Sequence, residues 1–363
     1  MNDKNRIDSH KLIFHPQRVS DFLKGKHILP INMEICLIGA CNHRCVFCTV
    51  DYLDYKPIMI SYDLLMNNLD EVCALNDSNG IKSILLAGTG EPLLYPQFSD
   101  VVKGLKNRQI DVALSTNGVL FTPNVADENE SDLSWIRFSV SGGTEETYKR
   151  IHRGKEGDLQ RVFDNIAYAA MLKKRKHLST VLNVQIVMVP ENYKEIIPLA
   201  KKVKELGADN FIVKVCGTSV NTLNSISSDI DINAYEDLDN VRKNLEALSN
   251  ENFGAIFRDE RLNNIINKKA YGECYASPFH AFLQSDGTVY PCCQFVGIER
   301  YAFGDIHEMS LKDIFFDKMG RRLEVLKILK DEKLCKCPNA CKLDVMNKYV
   351  NELKNPGEHV NFI

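Results

Sequence analysis

Cys41, Cys45 and Cys48 stand in the segment ICLIGACNHRCVFC with the spacing C-x3-C-x2-C. Three thiolates on so short a stretch can hold three irons of a four-iron cube, which leaves the fourth iron open to bind a small chelating ligand and pass it one electron. Three thiolates without a fourth suit a structural zinc poorly, because such sites are closed and four-coordinate. A second set lies far along the chain. Cys274 and Cys292 flank the DG of CYASPFHAFLQSDGTVYPCC, and Cys335, Cys337 and Cys341 follow in CKCPNAC. The DG pair supplies a tight turn, and a hairpin through it brings distant thiolates together. By themselves these cysteines fit an iron–sulfur cluster and a tetrahedral zinc equally well.

The cysteines need a frame to position them. Residues 31–216 alternate short apolar runs with longer amphipathic stretches, the pattern of repeated βα units around a parallel sheet. Strands are expected over 31–37, 83–87, 112–115, 135–140, 182–189 and 211–215. Helices are expected over 62–75, 97–107, 145–176 (broken near Gly154 and Gly157) and 193–206. Parallel strands need such crossovers, and their right-handed sense curves the sheet one way. The expected α/β fold is a partial (β/α)6 TIM-like barrel with its chemistry at the C-terminal strand ends, by analogy with full barrels. Residues 1–30 read as an N-terminal segment, 31–216 as the barrel, 217–270 as a Ser/Asn-rich loop and connecting helix, and 271–363 as a cysteine-rich extension.

Composition narrows the partners. The 363 residues are 44% hydrophobic and 26% charged, enough to bury a sizeable core, and the formal charge of −3 offers no basic footprint for nucleic acid. No apolar run reaches membrane-spanning length, and the polar start MNDKNRIDSHK lacks a signal-peptide core, so a cytoplasmic location is expected. Most of the twelve cysteines cluster at 36–48, 274–293 and 335–341, which in a reducing compartment reads as metal ligation.

Several motifs carry a family resemblance. The first cysteine set, the segment Gly88-Thr89-Gly90-Glu91-Pro92 after the apolar run ILLA, and the turns Ser115-Thr116-Asn117-Gly118 and Ser139-Val140-Ser141-Gly142 together resemble the radical S-adenosylmethionine (SAM) superfamily. Glycines let a backbone approach a ligand closely, and a nearby carboxylate can bind an ammonium. Thr89 replaces the second glycine of the family's GGEP pattern. The resemblance implies that Cys41, Cys45 and Cys48 hold a 4Fe-4S cluster whose unique iron binds SAM, and that Phe47 packs near the adenine. It further implies SAM contacts from Gly88, Thr89, Gly90, Glu91, Asn117, Ser139 and Ser141, with Arg153 reaching the SAM carboxylate. Residues from Cys274 onward are similar to the SPASM and twitch extensions of that superfamily. With at most six cysteines in the extension, one auxiliary 4Fe-4S cluster is implied, held by Cys274, Cys292 and two of Cys335, Cys337 and Cys341, with Cys337 and Cys341 preferred. Cys293 rivals Cys292, but the spacing from Gly287 selects Cys292.

Such enzymes cleave SAM reductively to a 5'-deoxyadenosyl radical that abstracts hydrogen from substrate. A small polar substrate of the carbohydrate type is expected, a sugar, nucleotide sugar or aminocyclitol, undergoing oxidation, epimerisation or dehydration. A flavodoxin or ferredoxin is the expected reducing partner, with no nucleic acid and no membrane. Peptide or protein maturation is the competing enzyme reading, and a noncatalytic iron–sulfur carrier belongs to a different class. Lys214 and Cys216 fall on one face of the last expected strand, FIVKV, by the two-residue period, and that face should be the barrel interior. There Lys214 could bind an acidic group and the Cys216 thiol could donate hydrogen to a substrate radical. Cys216 also fits a small core residue.

Overall fold

The computed structural model describes residues 6–7, 9–73, 80–217, 219, 221–224, 235–258, 262–263, 269–332, 334, 337 and 341–361. Its centre is a ten-stranded sheet. β1 (Asn32–Ile35), β2 (Ser83–Leu86), β3 (Asp111–Thr116), β4 (Leu133–Ser139), β5 (Val181–Met188) and β6 (Asn210–Val215) lie side by side in chain order, all parallel. Helix α1 (Pro16–Leu23) precedes β1, and the connecting helices include α2 (Tyr62–Cys73), α3 (Phe98–Asn107), α4 (Pro123–Asn129), α5 (Glu145–His152), α6 (Asp158–Lys176) and α7 (Ile196–Glu205). A parallel strand buried on both faces is apolar almost throughout, and in β5 every residue after Val181 is buried. One face, with Leu114, Ile136, Phe138, Val184, Ile186 and Val213, belongs to the large core cluster shared with the helices. The opposite face turns Ser115, Arg137, Ser139, Gln185 and Lys214 into the barrel.

The expected break in residues 145–176 is a hinge of two left-handed residues. Arg153 (φ 51°) caps α5 and Gly157 (φ 80°) starts α6. Residues 217–270 hold more than the expected loop and helix. After the helix Leu238–Glu246 comes β7 (Gly254–Phe257), which extends the parallel sheet beyond β6.

The cysteine-rich extension joins the other edge. β8 (His280–Leu283) pairs in parallel with β1, and β9 (Thr288–Tyr290) returns antiparallel to it through the turn at Gly287 (φ 91°). A left-handed residue is required there, and a side chain would run into the His307 ring. Among the described residues no helix is long and apolar enough to cross a membrane.

Arg322, on the helix Arg321–Asp331, ties these parts together. Its buried guanidinium donates to the carbonyls of Ile28 (2.8 Å), Phe315 (2.6 Å) and Pro278 (3.1 Å). Truncation would leave three buried acceptors unpaired. Arg322→Ala should lower unfolding stability by about 3 kcal/mol, read from denaturant titration, and a loss under about 0.5 kcal/mol would deny the linkage.

Candidate active site

The loop with the first cysteine set follows β1 and is clamped from two sides. From the β2 side, the Glu91 backbone nitrogen donates to the Ala40 carbonyl (2.8 Å). From the end of α5, the carbonyls of His152 and Ile151 accept from the backbone nitrogens of Arg44 (3.1 Å) and Val46 (2.9 Å). Cys41, Cys45 and Cys48 are all half-buried in this clamp. Burial, then the charges of Glu91 and Cys48, push the Cys41 thiol up to about 12. Cys45 is pushed well above the ordinary thiol range by burial and by the other two cysteines. The described cysteines form no disulfide.

The Gly88–Pro92 turn is built for close approach. Gly88 has φ 128°, and a Cβ there would lie 2.5 Å from the Cβ of Cys36; at Gly90 it would meet the carbonyls of Ile38 and Ala40. The Thr89 hydroxyl sits 3.2 Å from Cys36 Sγ and 3.1 Å from Gln284 Nε2, which donates to it. Glu91, expected to face a ligand ammonium, is buried and already accepts from Leu93 N (3.2 Å), Thr116 Oγ1 (2.6 Å) and Asn117 N (2.8 Å). Burial raises its carboxyl despite these donors. Asn117 Nδ2 donates to Asn42 Oδ1 (2.6 Å) inside the cysteine loop. Glu91 and Asn117 thus knot the ends of β2 and β3 to that loop.

Two expected ligand contacts are placed differently. Arg153 caps α5 with its side chain exposed, and the residue turned inward is its neighbour His152. Ser141 is fully buried, its Oγ accepting from Val187 N (3.1 Å), its carbonyl from Asn192 Nδ2 (2.8 Å), and its N–H donating to His152 Nε2 (2.8 Å). His152 also lies with Nδ1 3.2 Å from Cys45 Sγ, and burial pushes it down to about 3. His43 contacts Asp158 (3.3 Å) beside it. Sequence reading missed these side chains, since neither a histidine at the end of α5 nor one inside the cysteine loop carries a local signal of its partner.

One cavity of about 300 Å³ joins the two cysteine sets. Phe47 and Cys48 line one side; Cys274, Cys292, Cys293, Cys337 and Cys341 line another. Cys335 lies outside the described residues. Cys293, set aside on spacing, shares the wall with Cys292. Between them run Ser115, Arg137, Ser139, Gln185, Lys214 and Cys216, so Lys214 and Cys216 do reach the same interior. Arg137 donates from Nε (3.3 Å) and Nη2 (3.1 Å) to Ser115 Oγ, and burial lowers it to about 10. Lys342, adjacent to Cys341, is ion-paired with Glu34 of β1. Burial opposes the Glu34 charge, yet Lys342 and His280 hold its carboxyl below the usual range.

Comparison with known proteins decides the family. The family model "Radical SAM superfamily" matches residues 35–203, and "Iron-sulfur cluster-binding domain", the SPASM family, matches 274–342. The chain belongs to the radical SAM superfamily and carries a SPASM iron–sulfur domain. It is similar to the tungsten-containing aldehyde ferredoxin oxidoreductase cofactor-modifying protein of Pyrococcus furiosus, 25% identical over 77% of this chain and 79% of that protein. It is also similar to the GTP 3',8-cyclase of Aquifex aeolicus, 24% identical over 83% of this chain and 93% of that one. Its fold is like SuiB of Streptococcus suis solved with precursor peptide SuiA, with a TM-score of 0.65 at 18% identity over 93% of this chain and 76% of SuiB. This radical SAM enzyme uses a 4Fe-4S cluster with SAM, and its SPASM domain adds iron–sulfur ligation.

The residues present fit those groups. Thiols packed so closely resist ionisation by their burial and mutual charge, and bound iron supplies the positive charge that thiolates need. Anaerobically reconstituted protein should hold roughly eight irons per chain, falling to roughly four when Cys41, Cys45 or Cys48 becomes Ala. Stoichiometric zinc replacing half the iron in wild type would make the second cysteine set structural instead.

Proposed function

We propose that this enzyme uses SAM-derived radical chemistry on a small, polar, anionic substrate of the carbohydrate type, a sugar, nucleotide sugar or aminocyclitol. The cavity joining both cysteine sets carries this reading, because its strand-borne wall offers hydroxyls, an amide and cations beside the apolar Val187. Cys41, Cys45 and Cys48 would hold the SAM-binding cluster, and Cys274, Cys292, Cys337 and Cys341 one auxiliary cluster. When bound, the first cluster and SAM would together supply one-electron reductive chemistry able to generate a 5'-deoxyadenosyl radical for hydrogen abstraction. Ser139, at the end of β4, lines the same cavity as Phe47, where the cofactor's polar groups would dock.

Arg137 and Lys214 orient the substrate. Arg137 Nη1 makes no hydrogen bond among the described residues, and a guanidinium fork suits an oxyanion such as phosphate or carboxylate. Names of relatives lend support, since nucleotide dehydratases and GTP cyclases act on anionic nucleotides. A peptide maturase is the second reading, suggested by the fold likeness to SuiB, and an acidic side chain could enter the same cavity.

Cys216, 2% exposed and packed with Ile151, Val187, Val189 and Phe47, is the proposed hydrogen donor. Its S–H would give a hydrogen atom to the substrate radical from the face opposite abstraction. One electron from the reductant and one proton from solvent then restore the thiol. Epimerisation is the net result.

Substrate-dependent formation of 5'-deoxyadenosine separates the readings. Nucleotide sugars should stimulate it more than tenfold over neutral sugars, and Arg137→Gln should reduce that stimulation about tenfold by raising KM. Stimulation confined to acidic peptides would install the maturase reading. Cys216→Ala should still cleave SAM with substrate present but yield no inverted product, and in deuterated water wild type should place deuterium at the inverted carbon. Wild-type product from Cys216→Ala would remove this residue from the chemistry.

A further inference from the structure

The end of α5 holds an arrangement that the roles above do not use. His152 is fully buried, and its two ring nitrogens meet different partners. Nε2 lies 2.8 Å from the backbone nitrogen of Ser141, and Nδ1 lies 3.2 Å from Cys45 Sγ. A peptide nitrogen can only donate. Nε2 must therefore present a lone pair to it, and the single ring proton of a neutral imidazole sits on Nδ1. The contact with Cys45 is then an N–H···S hydrogen bond. An imidazolium would set two N–H groups against each other at Ser141. The same tautomer leaves Nδ1 without a lone pair, so the proximity of His43, Cys45 and His152, within 4.8 Å, is not a histidine-ligated ion site.

The ring is also held in place. Phe47 meets it edge-on at 5.7 Å and Tyr148 lies against it at 4.4 Å between ring centroids. Ser141, whose N–H fixes the tautomer, is itself fixed through Val187 and Asn192.

We infer that His152 is a positioning residue that holds a standing N–H···S hydrogen bond on the Cys45 sulfur and thereby raises the reduction potential of the SAM-binding cluster. The inference rests on the assignment of Cys41, Cys45 and Cys48 to that cluster. A donor at a ligand sulfur draws off charge that grows when the cluster is reduced, so it stabilises the reduced form. Its removal makes the cluster harder to reduce.

EPR-monitored redox titration of the reconstituted full chain tests this. His152→Phe keeps an aromatic ring but removes the N–H, and its SAM-binding cluster should titrate at a more negative potential while the auxiliary cluster does not move. His152→Asn, whose amide nitrogen can stand near the place of Nδ1, should recover part of the shift. An unmoved potential in His152→Phe with full iron content overturns the inference while leaving the cluster assignment intact. Equal shifts in both clusters also overturn it, since they signal a general disturbance. Where His152→Phe fails to take up iron, wild type reconstituted in deuterated water with 15N-labelled histidine decides. An exchangeable deuteron on a labelled ring nitrogen, coupled to the SAM-binding cluster, supports the bond, and its absence overturns it. A wild type with no cluster at the first cysteine set would overturn the assignment and the inference together.

Discussion

The parallel pairing of β1 with β8 is the constraint on which the rest of the site depends. Ile35 lies opposite Leu283, so the chain leaves both strands at the same edge of the sheet, one towards Cys41 and the other towards Cys292. Two cysteine sets separated by more than half the chain therefore face a common cavity. A slip of one residue would turn Met33 and Ile35 from the core and put Glu34 in their place. Just beyond the strands, Gln284 bonds Thr89 in the Gly88–Pro92 turn, so that turn is referenced to the same register.

Charge is the second constraint on the cavity. Burial makes Cys274, Cys292, Cys337 and Cys341 costly to ionise where they lie, and neighbouring cysteines add to the cost at Cys292, Cys337 and Cys341 as they do in the first set. Cys337 is pushed up to about 12 by burial and by Cys274, and Cys341 to about 11 by the same two causes. Such a surface is stable with cations nearby; the extension provides Lys342 and the barrel strands provide Arg137 and Lys214, all lining the same cavity. Glu34 offsets Lys342 from below. On the strand-borne part of the cavity the Arg137 guanidinium keeps Nη1 unbonded among the described residues, and there the proposed anionic substrate would be received.

Hydrogen bonding gives the site its rigidity. Residues that look like ligand contacts in the chain serve partly as supports. Glu91 accepts from Leu93 in its own turn and from Thr116 and Asn117 at the end of β3, and Ser141 commits its N–H, carbonyl and hydroxyl oxygen to His152, Asn192 and Val187. A polar residue at a barrel mouth can thus act on a ligand through the backbone that it fixes.

The chain itself determined whatever depends on local spacing. The C-x3-C-x2-C set, the glycine turn, the alternation of apolar runs and the DG hairpin each place their requirement within a few residues, and radical SAM membership and the parallel sheet follow from them. The missing β7 escaped because a four-residue strand after a Ser/Asn-rich stretch has too few positions to show a period. Only the tertiary structure decided between neighbours in the chain. Arg153 and His152 are equally plausible in KRIHRG, yet the left-handed cap of α5 turns the first outward and brings the second, 107 residues from Cys45, against its sulfur. The Glu34–Lys342 pair spans 308 residues and follows from sheet register. Local pattern fixes which groups a segment offers; the crossing of strands and helices fixes which of them meet, because partners so far apart in the chain leave no mark in each other's surroundings.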